Sequence, residues 1–239
     1  MDEALLAELS TQLARRQDTS TTGVMLYNRL FEAIIQGELL PGLALSEADL
    51  SKRLAVSRQL VRETFIKLAE RKLLVILPQR GTFVVKISPK RVLEARWVRE
   101  TIETRIAAEL AERADGKLLD GLRGLVMRQR QVPQGDYRQF QALDDAFHRA
   151  MAIAVGRAYA WEIVEQSKAQ MDRVRFLSLT MLTPFDMLAN QHMQIIDALA
   201  SGNPTAAAHA TAEHLHVLEH TLPEIVKAHP ELFDDGLAR

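Results

Sequence analysis

Apolar side chains recur every three or four positions in three stretches of the first third of the chain, which predicts three helices. The first helix covers residues 24–37 and ends at the turn GELLPG. The second begins after Ser46, a good N-cap. A tight break then precedes the third helix, which Ser57 caps and which extends to about Arg71.

Two runs rich in β-branched residues follow, LLVIL and TFVVK, and the four-residue connection PQRG between them indicates a hairpin. Helix, helix, short turn, helix and hairpin is the element order of a winged helix-turn-helix. We assign this domain to residues 22–86. Residues 1–21 are then an N-terminal tail or a short helix, since leucines recur there at helical spacing: Leu5, Leu6, Leu9 and Leu13.

The remainder of the chain shows helical spacing almost throughout and no strand-like alternation. Residues 87–91 are a linker. Short breaks then separate segments near 89–115, 117–131, 136–155, 158–180, 185–201 and 204–227. Short connections favour antiparallel neighbours, so residues 92–230 are predicted to form an all-helical ligand-binding domain. The predicted fold class is mainly α, with an N-terminal winged helix-turn-helix domain and a C-terminal antiparallel bundle of six or seven helices.

The third helix carries arginines opposite its apolar stripe, with Arg58 and Arg62 one turn apart at its start. In a winged helix-turn-helix this end enters the DNA major groove, where arginine bridges O6 and N7 of guanine. The alternative is a solvated polar face, but two arginines placed between a tight turn and a hairpin favour DNA. The predicted DNA-binding residues are Ser57, Arg58, Gln59 and Arg62, with Arg80 and Gly81 at the hairpin tip.

The charge distribution agrees with an anionic partner for the first domain alone. The net charge of the chain is −1, yet residues 22–86 hold ten Lys/Arg against six Asp/Glu. The chain has no cysteine, which excludes disulfides and thiolate metal sites and fits a reducing cytoplasm. The N-terminus MDEALLAELS lacks a signal-peptide pattern, and no apolar run reaches the roughly 18 residues of a membrane helix. We therefore expect a cytoplasmic protein without a membrane partner.

Polar residues interrupt the apolar faces of three bundle helices. Asp144 and His148 lie one turn apart on one of them, and His192 and His214 lie on the apolar faces of two others. Three imidazoles and one carboxylate that point inward can ligate a divalent transition metal and leave two positions open on an octahedral ion. The alternative is a set of hydrogen-bonded core histidines, and the spacing leaves both possibilities open.

The first domain resembles the DNA-binding domain of the GntR family of bacterial regulators. The shared motifs are G-x-L-x-PG before the second helix, SR-x-x-VRE at the start of the third, and P-x-RG-x-x-V in the wing. One departure is Gln59-Leu60, where many relatives have Thr-Pro. The resemblance implies a ligand-responsive transcription factor that binds a palindromic operator as a homodimer. We expect it to be a repressor.

The remainder resembles the all-helical FCD effector domain of the FadR-type subgroup, through R-x-x-IE at Arg99, D-x-x-FH at Asp144, and two later histidines. The resemblance, which covers residues 24–220, implies a divalent metal on the four predicted ligands and a small carboxylate effector. We expect zinc, with nickel, manganese or iron as alternatives. Arg99 matches an arginine of the family's effector cavity, and Arg175 is a second candidate; both can instead form structural ion pairs, for example with Glu103.

Two other functions compete with this interpretation. A metal-dependent hydrolase or lyase could use the His/Asp site, but no general base is evident beside the ligands and the basic winged domain would be unexplained. A regulator with a purely structural metal, or with none, is the other alternative. We predict a regulator without catalytic residues.

Overall fold

The computed structural model describes residues 19–234 together with Ala7 and Thr11, with side chains described from residue 22 in the main segment. The four leucines predicted to form a short N-terminal helix lie outside the described residues. The chain divides into two compact units. The winged unit comprises the chain up to Pro89 and the segment that starts at His229, and the helical unit comprises Lys90–Ala228.

In the part of the chain that the structure describes, the winged unit contains three α-helices and a small antiparallel sheet of order β1-β3-β2. Its elements are α1 (Thr19–Ile35), β1 (Ala44–Leu45), α2 (Glu47–Leu54), α3 (Arg58–Glu70), β2 (Leu74–Leu77) and β3 (Gly81–Val84). The predicted three helices and hairpin are present. The short strand β1, which pairs with β3 through Ala44↔Phe83, was not predicted.

Local signals in the sequence determine where α2 begins and ends and where α3 begins. The Ser46 hydroxyl accepts a hydrogen bond from Asp49 N at 3.2 Å, and the Ser57 hydroxyl accepts one from Leu60 N at 3.1 Å. Between them Ala55 adopts the left-handed conformation, with φ of 51°, and ends α2. The residues that open α3, from Ser57 to Gln59, are exposed.

We expect Ser46→Ala to lower the free energy of unfolding of the winged unit by about 1 kcal/mol, because α2 loses its N-cap acceptor. Ser46→Asp keeps an acceptor at the same place and is the matched control. Chemical denaturation followed by circular dichroism measures the difference. Equal stability of the alanine and aspartate variants would contradict the assigned capping role.

The end of the chain returns to the winged unit. After the 3₁₀ turn Pro230–Leu232, Phe233 forms a parallel bridge with Ile87. Ile87 N donates to Leu232 O, and Asp234 N donates to Ile87 O, both at 2.9 Å. Phe233 is buried. Two covalent connections therefore join the units, one at the predicted linker and one after Ala228, and the second was not foreseen.

The helical unit consists of seven α-helices within the described part of the chain. They are α4 (Pro89–Ala111), α5 (Gly116–Arg130), α6 (Tyr137–Ala154), α7 (Ala158–Ser167), α8 (Ala169–Met181), α9 (Phe185–Ala200) and α10 (Pro204–Ala228). The single helix predicted near residues 158–180 is in fact two, separated at Lys168. No helix in the described residues is long and apolar enough to span a bilayer.

The core of the helical unit is apolar on one side and ionic on the other. Apolar side chains of α4, α5, α6, α7, α9 and α10 form one cluster that includes Phe147, Trp161 and Ile195. Beside it, charged and polar side chains are buried at 6% exposure or less: Arg99, Glu103, Asp144, His148, Lys168, Asp172, Arg173, His192 and His214. Buried charges persist only when they are paired or bind ions, so this region is the candidate for chemistry.

Candidate nucleic-acid interface and metal centre

The start of α3 presents its basic residues to solvent. Arg58 and Arg62 are exposed, whereas Val61 and Phe65, which are their neighbours on the helix surface, are fully buried. The first turns of α3 therefore pack their apolar side chains in the winged unit and keep the two guanidinium groups beside them in solvent. The exposure of both arginines agrees with the sequence analysis, although the predicted opposite placement of the apolar stripe does not hold for Val61 and Phe65.

The other two predicted residues at this end of α3 are partly engaged. Ser57 uses a lone pair to cap the helix, and its hydroxyl proton remains able to donate. Gln59 is exposed and donates to Glu63 Oε1 at 2.8 Å. Sequence reasoning did not single out Glu63, although the i, i+4 spacing from Gln59 allows the contact.

The hairpin tip carries Arg80 and Gly81, both exposed. Arg80 N donates to Leu77 O at 3.1 Å and closes the turn. Gly81 has φ of 108°, a conformation that a side chain would strain, which explains the glycine at this position. The tip thus projects one guanidinium from a tightly turned backbone.

The four predicted metal ligands meet in the helical unit. Asp144 and His148 come from α6, His192 from α9 and His214 from α10, and one ligand atom from each lies within 4.8 Å of the others. His214 Nε2 is 3.2 Å from His148 Nε2 and 3.3 Å from His192 Nε2. Asp144 Oδ1 is 3.4 Å from His192 Nε2.

Each imidazole has an oxygen beside its other nitrogen. His192 Nδ1 lies 2.8 Å from Gln129 Oε1, and His214 Nδ1 lies 3.1 Å from Gln191 Oε1. In the third ring, His148 Nδ1 lies 2.7 Å from Glu103 Oε2. This contact is close, but it is poorly aligned and His148 Nδ1 forms no hydrogen bond. Acceptors beside Nδ1 favour the tautomer that carries its proton there.

With the proton on Nδ1 in all three rings, the three Nε2 atoms face one another as lone pairs. Such an arrangement is repulsive unless a cation lies between them. Two nitrogens that bind one tetrahedral ion at about 2.0–2.1 Å lie about 3.3 Å apart, which agrees with the separations of His214 Nε2 from the other two rings. The donor set therefore fits a divalent metal better than a hydrogen-bonded core.

Burial and nearby charges keep His192, His214 and Asp144 in the protonation states that ligation requires. Burial lowers the pKa of His192 to about 3 despite the nearby carboxylate of Asp144. Burial likewise lowers the pKa of His214 well below its usual value. Burial opposes ionisation of Asp144, but the guanidinium of Arg175 beside it outweighs this effect, so the pKa of Asp144 falls. Neutral imidazoles and an ionised carboxylate are the metal-binding forms.

Both arginines predicted to bind an effector are engaged in ion pairs. Arg99 Nε donates to Glu103 Oε1 at 2.6 Å, and both side chains are buried. Arg175 contacts three carboxylates, those of Asp144, Asp145 and Asp172. The structural ion-pair alternative is therefore present for both residues, and binding of an effector by them stays a prediction.

A pocket opens beside the metal-ligand cluster, between α4, α6, α8, α9 and α10. Asp144 and His214 line it, as do three arginines, Arg96, Arg99 and Arg175. The rest of the lining is mainly apolar, apart from Gln141, Ser178 and Thr183. A small molecule in this pocket would touch the ligand cluster directly.

Comparison with known proteins assigns both parts of the chain. Residues 22–84 match the gntR family of bacterial regulatory proteins, and residues 94–217 match the FCD domain. The chain belongs to the GntR family. Its helical unit is an FCD domain, as the resemblance implied, and the predicted fold class is confirmed.

Similar GntR proteins match along most of their length. The HTH-type transcriptional repressor RspR of Escherichia coli K12 is 34% identical over 218 residues, which is 91% of this chain and 96% of RspR. The structure of a putative GntR regulator from Rhodococcus sp. RHA1 has a TM-score of 0.65 at 26% identity and covers 87% of this chain and 99% of its own. The structure of E. coli McbR/YncC has a TM-score of 0.69 at 20% identity, with coverages of 87% and 98%.

This GntR protein is a DNA-binding transcriptional regulator and not an enzyme, as predicted. The sequence located the four ligands of the candidate metal centre but missed the residues that orient the rings. Gln129 and Gln191 carry no spacing signal that links them to a histidine. Glu103 was noted only as a partner of Arg99, because its contact with His148 joins two different helices.

Proposed function

We propose that the protein is a ligand-responsive repressor that binds a palindromic operator as a homodimer. A small carboxylate metabolite, bound in a metal-containing pocket of the FCD domain, releases it from DNA or modulates its binding. The observation that carries the proposal is that one chain contains both a candidate DNA-binding surface and a candidate ligand-binding site. An exposed basic helix lies in the winged unit, and a buried His/Asp cluster opens to a pocket in the helical unit.

On DNA, the exposed residues of α3 would contact the major groove, with Arg58 and Arg62 as the guanine-reading or phosphate-binding groups. Arg80 at the hairpin tip would reach the minor groove, where Gly81 allows close approach of the backbone. Two copies related by a two-fold axis would place two α3 helices in successive major grooves. The name of RspR, a repressor, supports repression. As a bacterial DNA-binding regulator, the protein would act in the cytoplasm.

In the helical unit, the proposed metal ligands are Asp144, His148, His192 and His214. Three histidines and a carboxylate suit zinc first, with nickel, manganese or iron as alternatives. A bound ion would supply a Lewis-acidic centre that attracts a carboxylate oxygen. The chain's own residues prepare the ligands: Gln129 and Gln191 accept hydrogen bonds from Nδ1 of His192 and His214, and the carboxylate of Glu103 lies against Nδ1 of His148.

Arg175 is the residue that can connect ligand binding to a rearrangement of the bundle. Its guanidinium joins α6 to α8, because it contacts Asp144 and Asp145 on one helix and Asp172 on the other. A carboxylate that enters the pocket competes with these aspartates for the guanidinium. Loosening this tie would let the bundle repack, and the winged units of the dimer would change separation or mobility. The ligand must favour one of the two states, because equal affinity shifts nothing.

Arg58→Ala tests the DNA interface. We expect the variant to lose about 1–3 kcal/mol of binding free energy for DNA that the wild-type protein selects from a random library. Fluorescence anisotropy at fixed salt measures the two dissociation constants. Arg123→Ala removes an exposed arginine of the helical unit and controls for the change in net charge. Wild-type affinity of Arg58→Ala would show that α3 does not dock as proposed.

The pocket is tested by metal analysis and a thermal-shift screen of organic acids on purified protein. We expect about one equivalent of divalent metal per chain and a rise in Tm with a subset of small carboxylates. Treatment with a chelator should abolish the response to acids. An acid response that survives complete metal removal would favour a structural metal or none.

A further inference from the structure

The effector pocket contains a hydroxyl cluster as well as charged residues. Ser178 near the end of α8 and Thr183 just after it line the pocket, and both are 4% exposed. Ser178 Oγ lies 2.6 Å from Thr183 Oγ1 and 3.2 Å from Thr221 Oγ1 of α10. Thr183 is held in place by its backbone, since Thr183 N donates to Ser178 O at 2.8 Å.

The direction of these hydrogen bonds follows from counting protons, because each hydroxyl has one to donate. The Thr221 hydroxyl donates to Val217 O at 3.1 Å, and a backbone carbonyl can only accept. Ser178 must therefore donate to Thr221, which uses its single proton. The short contact between Ser178 and Thr183 then requires Thr183 to be the donor.

All three hydroxyl protons are consequently used inside the cluster, so Ser178 and Thr183, which line the pocket, can only accept a further hydrogen bond. Among the described residues, no group donates to Thr183 Oγ1. A carboxylate or ketone of a ligand would meet this oxygen as a second acceptor and gain nothing. A ligand hydroxyl would donate to it, and as a neutral group it avoids the desolvation penalty of an ammonium.

We propose that the effector is a hydroxy acid whose hydroxyl donates to Thr183, and not an unsubstituted or dicarboxylic acid. The inference rests on the proposed function, because it takes the carboxylate end of the effector to lie at the His/Asp cluster. It adds that the hydroxyl cluster discriminates between acids because it can accept a hydrogen bond from the ligand but cannot donate one. Selection of this kind is strong when a buried polar group would otherwise stay unpaired.

The test uses the full-length, metal-loaded protein and isothermal titration with matched acids of three to five carbons. Each set has an unsubstituted acid, its ω-hydroxy analogue and the dicarboxylic acid, for example butyrate, 4-hydroxybutyrate and succinate. At the best chain length we expect the hydroxy acid to bind about tenfold more tightly than both others. Equal affinity for butyrate and 4-hydroxybutyrate at every length, or a preference for the diacid, overturns the inference.

Thr183→Val removes the acceptor and keeps the shape of the side chain, whereas Thr183→Ser keeps the acceptor. We expect the valine variant to bind hydroxy and unsubstituted acids with equal affinity and to retain its metal. The serine variant should keep the preference. The assigned role is contradicted if the valine variant retains the preference for hydroxy acids, or if its affinity falls equally for all acids. Failure of every acid to bind the wild type would instead reject the carboxylate pocket itself.

Discussion

Replacing His148 and His214 together by alanine is expected to abolish tight binding of divalent metal. Their Nε2 atoms lie 3.2 Å apart in the centre of the cluster, so the double variant keeps only Asp144 and His192 from two separate helices. Two monodentate ligands do not hold a labile divalent ion against dialysis, and we expect less than about a tenth of an equivalent to remain. Elemental analysis after equilibrium dialysis with zinc measures the content.

The matched control replaces two exposed histidines of α10, His209 and His220, by alanine. That variant has the same change in histidine content and should retain wild-type metal. Circular dichroism checks that both variants keep their helices. A full equivalent of metal in the His148→Ala/His214→Ala protein would eliminate the proposed ligand set.

The second large effect is expected from Glu103→Ala. Glu103 pairs with Arg99 at 2.6 Å and lies 2.7 Å from His148 Nδ1. Its removal leaves the buried guanidinium of Arg99 without this carboxylate, which costs about 3–5 kcal/mol in comparable sites. His148 also loses the group that orients its ring, which typically lowers metal affinity about 10- to 100-fold. Denaturation and competitive zinc titration measure the two effects.

The double variant Arg99→Met/Glu103→Leu separates the two roles of Glu103. It removes both charges and fills the space with apolar side chains, so much of the stability should return. Metal affinity should stay low, because His148 still lacks an acceptor at Nδ1. If Glu103→Ala binds zinc as tightly as the wild type, the outer carboxylate does not support the metal site.

The winged unit was predictable because its signals are local. Ser46 and Ser57 cap helices through hydrogen bonds to residues three positions ahead. The helical spacing of the apolar residues on α3 identifies the buried stripe, and the charged ends of Arg58 and Arg62 beside it stay in solvent, as charged side chains usually do. Each of these features depends on a few consecutive residues and needs no knowledge of the tertiary fold.

Features that join distant segments were not predictable in the same way. The strand β1 has two residues, too few for a periodic pattern, and forms by pairing with β3. The return of Phe233 to Ile87 likewise depends on where the last helix ends. The break at Lys168 coincides with its buried ion pairs to Asp145 and Asp172, which no helical periodicity reveals.

Only part of the candidate metal site could be predicted from the sequence. Inward-facing histidines could be identified by helical spacing, since an apolar stripe makes an interrupting polar residue visible. The ionic partners of Arg99 and Arg175 could not be fixed, because several carboxylates are possible for each. In the structure Arg99 pairs with Glu103 and Arg175 with three aspartates, so the ion-pair alternative is present for both arginines, and binding of an effector by them stays a prediction.

The most direct test of the account is the affinity of the metal-loaded protein for its selected DNA, measured by anisotropy with and without the acid that stabilises the protein most. We predict that the acid weakens DNA binding by about tenfold or more in the wild type and leaves the His148→Ala/His214→Ala variant unaffected. An acid that raises the Tm of the wild type but leaves its dissociation constant for DNA unchanged would contradict the proposed coupling between pocket and operator.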